Sequence, residues 1–163
     1  MKENEITVIQ ADLSRSDHQE TTVQLLNAYA MDPMGDGKPL SEVAKRDVIP
    51  GLREHPTTLV FLAFRDGEPV GLAICFRGFS TFAARPLVNI SDYFVRAGHR
   101  GAGIGRRLLG AIEQCARDLG CCRLTLEVQE NNHHARHVYA AAGFAQARYV
   151  PEAGGSLYLA KAL

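Results

Sequence analysis

The chain has 163 residues, enough for one domain over residues 1–163 that buries about two thirds of the surface its unfolded form exposes. Lysine plus arginine and aspartate plus glutamate both total 18, so no global charge argues for nucleic acid or an anionic membrane as a partner. No apolar run reaches the roughly 18 residues of a membrane span, and Met1–Asp12, with Lys2, Glu3 and Glu5, lacks a signal peptide's apolar core, so a cytoplasmic protein is expected.

Taken in order, Glu5–Ala11 alternates weakly and reads as a first strand. Ser14 or Ser16 stands where it could cap a helix running to about Met31, with Val23, Leu26 and Ala30 beside Leu25 and Tyr29 as its apolar stripe. Two prolines and two glycines make Asp32–Pro39 a loop. Ser41 caps a second helix with Glu42 in its first turn, and Pro50-Gly51 is expected to kink or split it before Leu52–His55. Thr58–Arg65 is an apolar strand, Asp66-Gly67 a tight hairpin turn and Pro69–Phe76 the returning strand. Phe79–Pro86 reads as an aromatic loop, and Val88–Val95 as the next strand.

Ile104, Leu108, Ile112, Cys115 and Leu119 recur at helical spacing, and Gly120 ends that helix. Arg123–Val128 follows as a strand reached by a helical crossover, which makes it parallel to its predecessor. Asn132 caps a short helix ended by Gly143, with Ala135, Val138, Tyr139 and Ala142 on one face. Ala145–Val150 and Ser156–Ala160 read as a last hairpin across Ala153-Gly154-Gly155. The order of elements is that of an α/β class protein with an α+β mixed sheet.

Between the Val88–Val95 strand and its helix stands Arg100-Gly101-Ala102-Gly103-Ile104-Gly105. A glycine-rich turn at this place lets backbone N–H groups converge, and the helix adds unpaired amides and a positive dipole end, which together suit a phosphate. A nucleotide P-loop needs Gly-Lys-Ser/Thr here, but Arg106 and Arg107 follow Gly105; the dinucleotide fingerprint needs a glycine where Arg106 stands. The remaining pattern, R-x-x-G-x-G, resembles the pyrophosphate loop of the GCN5-related N-acetyltransferases (GNAT family), which bind acetyl-CoA. The family's second signature is matched by Asn132-x-x-Ala135-x-x-Val138-Tyr139-x-x-x-Gly143-Phe144. The order of elements is similar to the family's along nearly the whole chain. Resemblance therefore implies the GNAT fold: a central, mostly antiparallel sheet with one splayed parallel strand pair and helices on both faces.

Acetyl transfer from a thioester to an amine requires a held cofactor, an oriented carbonyl, a proton acceptor for the amine and a proton donor for the thiolate. The resemblance assigns the CoA pyrophosphate to Arg100, Gly101, Ala102, Gly103, Ile104 and Gly105. It assigns the pantetheine arm to Phe94 and Val95, where a backbone N–H would polarise the acetyl carbonyl, and a further cofactor contact to Asn132. Tyr139 is the expected general acid, since a phenol of pKa about 10 can protonate a thiolate whose acid lies near 8.5 once it is positioned in a dry site. For the base, Glu127 within Leu-Glu-Val resembles the glutamate of ribosomal-protein alanine acetyltransferases, although a strand-end glutamate is often merely solvated. The family's other base position falls on Ser91, which cannot take a proton at neutral pH, and leaves Asp92 second. On a regular strand Asp92 points to the opposite face from Ser91; a bulge could re-aim it.

His133, His134 and His137 lack the H-E-x-x-H pattern and read as a solvated helix face, so no metal is expected. Cys75, Cys115, Cys121 and Cys122 form no C-x-x-C pair and read as reduced, mostly buried thiols. The acceptor pocket is expected from the Asp32–Pro39 loop and Phe76, Phe79 and Phe82, with Asp32 and Asp36 placed to attract a cationic amine. The expected function is transfer of acetyl from acetyl-CoA to a primary amine of a small molecule or amino acid by direct attack. Its alternatives are acetylation of a protein N-terminus or lysine, and a non-catalytic acyl-CoA sensor. Neither nucleic acid nor membrane is an expected partner, and the family resemblance is compatible with a homodimer.

Overall fold

The computed structural model describes residues 5–163; Met1–Asn4, the start of the stretch read above for a signal peptide, lie outside them. Two compact units divide the chain after Gln129. The first holds a five-stranded sheet whose neighbours follow chain order: β1 (Ile6–Gln10), β2 (Thr58–Arg65), β3 (Glu68–Ser80), β4 (Arg85–Val95) and β5 (Leu124–Leu126). The first four strands pair antiparallel, and β4 and β5 pair parallel, so the mixed sheet with one parallel pair is as the sequence implied.

Helices cover both faces because the strands alternate. Val60, Leu62, Leu72, Ile74 and Phe94 point to one side and pack with Leu25 of α1 (Ser16–Met31) and Leu52 of α2 (Glu42–Glu54). On the other side α3 (Ile104–Asp118) buries Ile104, Leu108 and Ile112, its helical-period positions. Small residues let it come close: a Cβ on Gly71 would sit 3.1 Å from the Ala63 Cβ and 3.5 Å from the Ile104 Cγ2. Burying a side chain such as Leu108, which is 0% exposed, contributes about 1.5–3 kcal/mol, so α3 is held by packing rather than by its ends.

Asp66 (φ 52°) and Gly67 (φ 83°) are both left-handed, the pattern of a two-residue turn matched to strand twist. Three local expectations change. No side chain caps α1; the Asp12 carboxylate instead takes both the backbone N–H and the hydroxyl of Ser14, at 2.9 and 2.7 Å, drawing Ser14 into a turn and leaving Ser16 as the first helical residue. α2 runs through Pro50 unbroken, because Ile49 and Leu52 on either side are buried and outweigh the lost N–H. Phe79–Pro86 is not an irregular loop: β3 and β4 stay paired out to Ser80 and Arg85, leaving a four-residue tip at 81–84 with Phe82 97% exposed.

The second unit contains α4 (His133–Ala141), capped as expected by Asn132, whose side chain accepts from the Ala135 N–H at 3.1 Å. Gly143, at φ 91°, ends it. The hairpin expected over Ala145–Ala160 is absent among the described residues. Its turn forms around a short 3₁₀ segment, Pro151–Ala153, but the flanks meet through a single bond, Ser156 N–H to Ala147 O at 3.4 Å. A lone two-stranded ribbon is marginal, and Leu157, Tyr158 and Leu159 remain exposed with no apolar surface to reward pairing. No described helix is long and apolar enough to cross a membrane.

Candidate active site

β4 carries one residue more than its partner requires. Ile74 faces Asp92 and Cys75 faces Ile90, so Ser91 is the unpaired residue of a β-bulge. Unbroken alternation would put Ile90 and Asp92 on one side; the bulge places Asp92 on the side of Ile74 and Phe94, under α1. Burial there pushes the Asp92 carboxyl above the usual carboxylate range. Tyr29 of α1 stacks on Phe94, with ring centroids 5.6 Å apart and planes at 27°. Burial raises its phenol too, with the charges of Asp92 and Asp32 adding to the effect.

The same bulge marks where the parallel pair parts. β4 and β5 are joined at Val88–Leu124, Asn89–Thr125 and Ile90–Leu126, and the ladder goes no further. Asn89 Nδ2 donates to Thr125 Oγ1 at 3.0 Å, pinning the strands just before they separate. Beyond this point Phe94 and Val95, 6% and 9% exposed, end β4, while Glu127 follows β5 and is solvent-exposed. Ser91 itself is exposed and its hydroxyl donates to Asn89 Oδ1 at 3.1 Å.

After β4 the chain makes one 3₁₀ turn, Ala97–His99, and enters the glycine stretch. Gly101 and Gly103 have φ of 79° and 82°, conformations in which any other residue would be strained, and Gly103 is the N-cap of α3. Arg107 N–H, bonded to Gly103 O at 3.1 Å, is the first amide returned to the helix; those from Gly101 to Arg106 have no backbone carbonyl partner among the described residues. Six successive amides at a helix start form a cradle suited to an anion, and with no side chain at three of them it admits a diphosphate closely. Gly105 has a second reason to be glycine: a Cβ there would lie 2.5 Å from the Tyr93 Oη.

Arg100 is already engaged. Its Nε donates to Val95 O at 2.9 Å and its Nη2 to Asp32 Oδ2 at 2.6 Å. Sequence reasoning did not find this pair, because its partners stand 68 residues apart with no spacing rule to join them, and it missed Tyr29 because an apolar helix stripe explains that residue fully.

In the second unit Tyr139 is 7% exposed, with its ring edge against Phe144 at 5.8 Å, while His133, His134 and His137 are all exposed. Among the described residues no group of three or more His, Cys, Asp and Glu is placed to hold a metal ion. The first unit thus unites Asp92, Phe94, Val95 and the glycine stretch at one end of β4; Asn132 and Tyr139 belong to the second.

A family model described as the acetyltransferase (GNAT) family matches residues 22–144. The thialysine N-epsilon-acetyltransferase of Bos taurus is 33% identical over 82 residues, 47% of this chain and 48% of that one. The streptothricin acetyltransferase of Streptomyces lavendulae is 40% identical over 80 residues, 49% of this chain and 40% of that one. The chain thus spans about half or less of the length of these curated relatives. Among solved structures, an aminoglycoside N-acetyltransferase in complex with CoA superposes with a TM-score of 0.73 at 18% identity, covering 98% of this chain and 97% of its own, which establishes likeness of fold.

Proposed function

This chain belongs to the acetyltransferase (GNAT) family, and on that premise we propose that it moves an acetyl group from acetyl-CoA to a primary amine of a small molecule or amino acid. The observation that carries the reading is the run of unreturned amides from Gly101 to Arg106 at the start of α3, which follows the part of β4 that has left its ladder with β5. Each amide bond to a charged group contributes about 1.5–3 kcal/mol, so a few of them anchor a CoA diphosphate without a lysine. Relatives named for thialysine and streptothricin support an amine as acceptor.

In this reading Gly101, Ala102, Gly103, Ile104 and Gly105 hold the diphosphate, Arg100 contributes through Nη1, and Phe94, Val95 and Asn132 hold the arm that ends in the thioester. Acetyl-CoA supplies an acyl carbon whose bond to sulphur is weak enough for direct displacement by an amine. Asp92 is the better base of the two candidates: its carboxyl is partly buried and its affinity for a proton is raised, whereas Glu127 is exposed. The base takes the proton that the amine sheds as its nitrogen bonds the acyl carbon, and the Tyr139 hydroxyl gives its proton to the departing sulphur. The half-buried Tyr29 phenol, close enough to feel the charge of Asp92, suits a cationic acceptor.

A screen of diamines, amino acids, aminoglycosides and lysine or N-terminal peptides with acetyl-CoA, read by thiol release and product mass, tests the proposal. Turnover with at least one small amine is the expected result. Tight CoA binding with no thiol release for any acceptor refutes it in favour of a sensor.

A further inference from the structure

Asp32 closes α1 and opens loop 32–40, and its carboxylate has two jobs. Oδ1 accepts from the Met34 N–H at 3.0 Å inside the loop, while Oδ2 pairs with Arg100 at 2.6 Å. The main chain adds to the hold: Asp32 N–H donates to Tyr29 O at 3.0 Å, Gly35 N–H to Asp32 O at 2.8 Å and Lys38 N–H to Ala30 O at 3.3 Å. Gly35 lies so tightly on the end of α1 that a Cβ there would collide with the Tyr29 carbonyl oxygen. Arg100 is fixed from its own side, by Nε on Val95 O and by its N–H on Ala97 O at 3.3 Å. The Asp32 side chain is 10% exposed and that of Arg100 35%, so solvent and salt screen this pair less than the surface pairs elsewhere on the chain.

Thus the only ion pair that loop 32–40 makes among the described residues ends on the residue that opens the glycine stretch. We propose that Asp32 and Arg100 are positioning residues that tie loop 32–40 to the glycine loop, so that an anion settling on the amides of 101–106 changes the stability of a loop on another element. One guanidinium serves both partners: an anion drawn to Arg100 competes with Asp32 for the same charge, and linkage makes the effect reciprocal. For the identity of that anion the inference rests on the acetyl-CoA reading; the tie itself does not.

Amide hydrogen exchange on the whole chain tests it, with and without CoA as the probe, in the wild type, Asp32→Asn, Arg100→Gln and the charge swap Asp32→Arg/Arg100→Asp. In the unliganded chain Asp32→Asn speeds exchange at His99, Arg100 and Arg107, the hydrogen-bonded amides on either side of the open stretch, and Arg100→Gln speeds it at 33–38, each by about tenfold, within the range for coupled sites. The swap recovers part of both. CoA alters exchange at 33–38 in the wild type and not in either single variant. Changes confined to the segment carrying each substitution overturn the proposal, as does an unaltered response of 33–38 to CoA in the variants. If Asp32→Asn leaves CoA affinity within about twofold of the wild type, the anion does not compete with Asp32 for Arg100, and the proposal also falls. Failure of CoA to protect 101–106 in the wild type refutes the cofactor reading, while cross-segment changes in the unliganded chain uphold the tie.

Discussion

Gly105→Ala places one methyl group where α3 crosses β4. Its carbon would lie 2.5 Å from the Tyr93 Oη and 3.6 Å from the Tyr93 Cζ, so the conflict is with the hydroxyl oxygen and not with the ring. Closing to ordinary contact means moving the start of α3, or the Tyr93 ring, by about 1 Å, and overpacking of this kind costs about 1–3 kcal/mol. At roughly 2–4 °C per kcal/mol for a chain of this size, thermal unfolding should come about 2–12 °C earlier. Because the amides that we assign to the diphosphate move with the helix start, CoA affinity measured by calorimetry should fall by about tenfold to a hundredfold, what the loss of one amide bond of about 1.5–3 kcal/mol to a charged group amounts to. Tyr93→Phe removes the oxygen and leaves the Cζ contact at 3.6 Å, an ordinary separation, so the double variant should regain most of the affinity that Gly105→Ala loses. Additive losses in the double variant, or full affinity in Gly105→Ala alone, would refute the argument that this glycine sets the height of the cradle.

Asp92→Asn should cut kcat at least about a hundredfold if Asp92 is the base, while Glu127→Gln should change it little. Asp92 is held above its unfolded pKa by burial, so its ionised form weakens the fold at neutral pH and that penalty vanishes once pH falls below the ordinary aspartate value; Asp92→Asn should therefore be more stable than wild type at pH 7 and equal to it near pH 3 in urea titrations. Loss of stability at pH 7 would contradict this. Tyr139→Phe should lower kcat by about tenfold or more and leave the calorimetric CoA affinity within about threefold, and unchanged turnover across the acceptor panel would remove Tyr139 from the acid's role. The Cys75 thiol is pushed up to about 12 by burial, so a thiol reagent should modify it only on unfolding, in contrast to partly exposed Cys115, Cys121 and Cys122; rapid labelling of all four in the native chain would show the β3–α3 contact to be looser than described.

What could be read from the residues alone follows how local each cause is. Helical spacing from Ile104, the Asn132 cap and the Asp66-Gly67 turn depend on neighbours within a few positions, and these features stand where they were expected. The glycine stretch was legible for the same reason, since backbone freedom and a helix start are both short-range. Pro50 does not split α2 because two buried neighbours outweigh a proline's local cost, and the Phe79–Pro86 segment misled because strand pairing on its far side, not its own composition, keeps it extended. The facing of Asp92 hinged on whether Ser91 enters the ladder or bulges out of it, which alternation admits as a choice but cannot settle. The Asp32–Arg100 pair lay wholly beyond reach, as no periodicity connects the end of one helix to a loop far along the chain.

Ser91 also separates two things that are easily confused. A β4 lacking it would still carry Asp92 and Phe94 on their present side, since Ile90 and Asp92 would then alternate as ordinary neighbours. What the surplus residue adds is curvature rather than orientation. Deleting Ser91 would therefore straighten β4 just past the point where its ladder with β5 stops, and leave Ile90, Asp92 and Phe94 on the faces they now occupy.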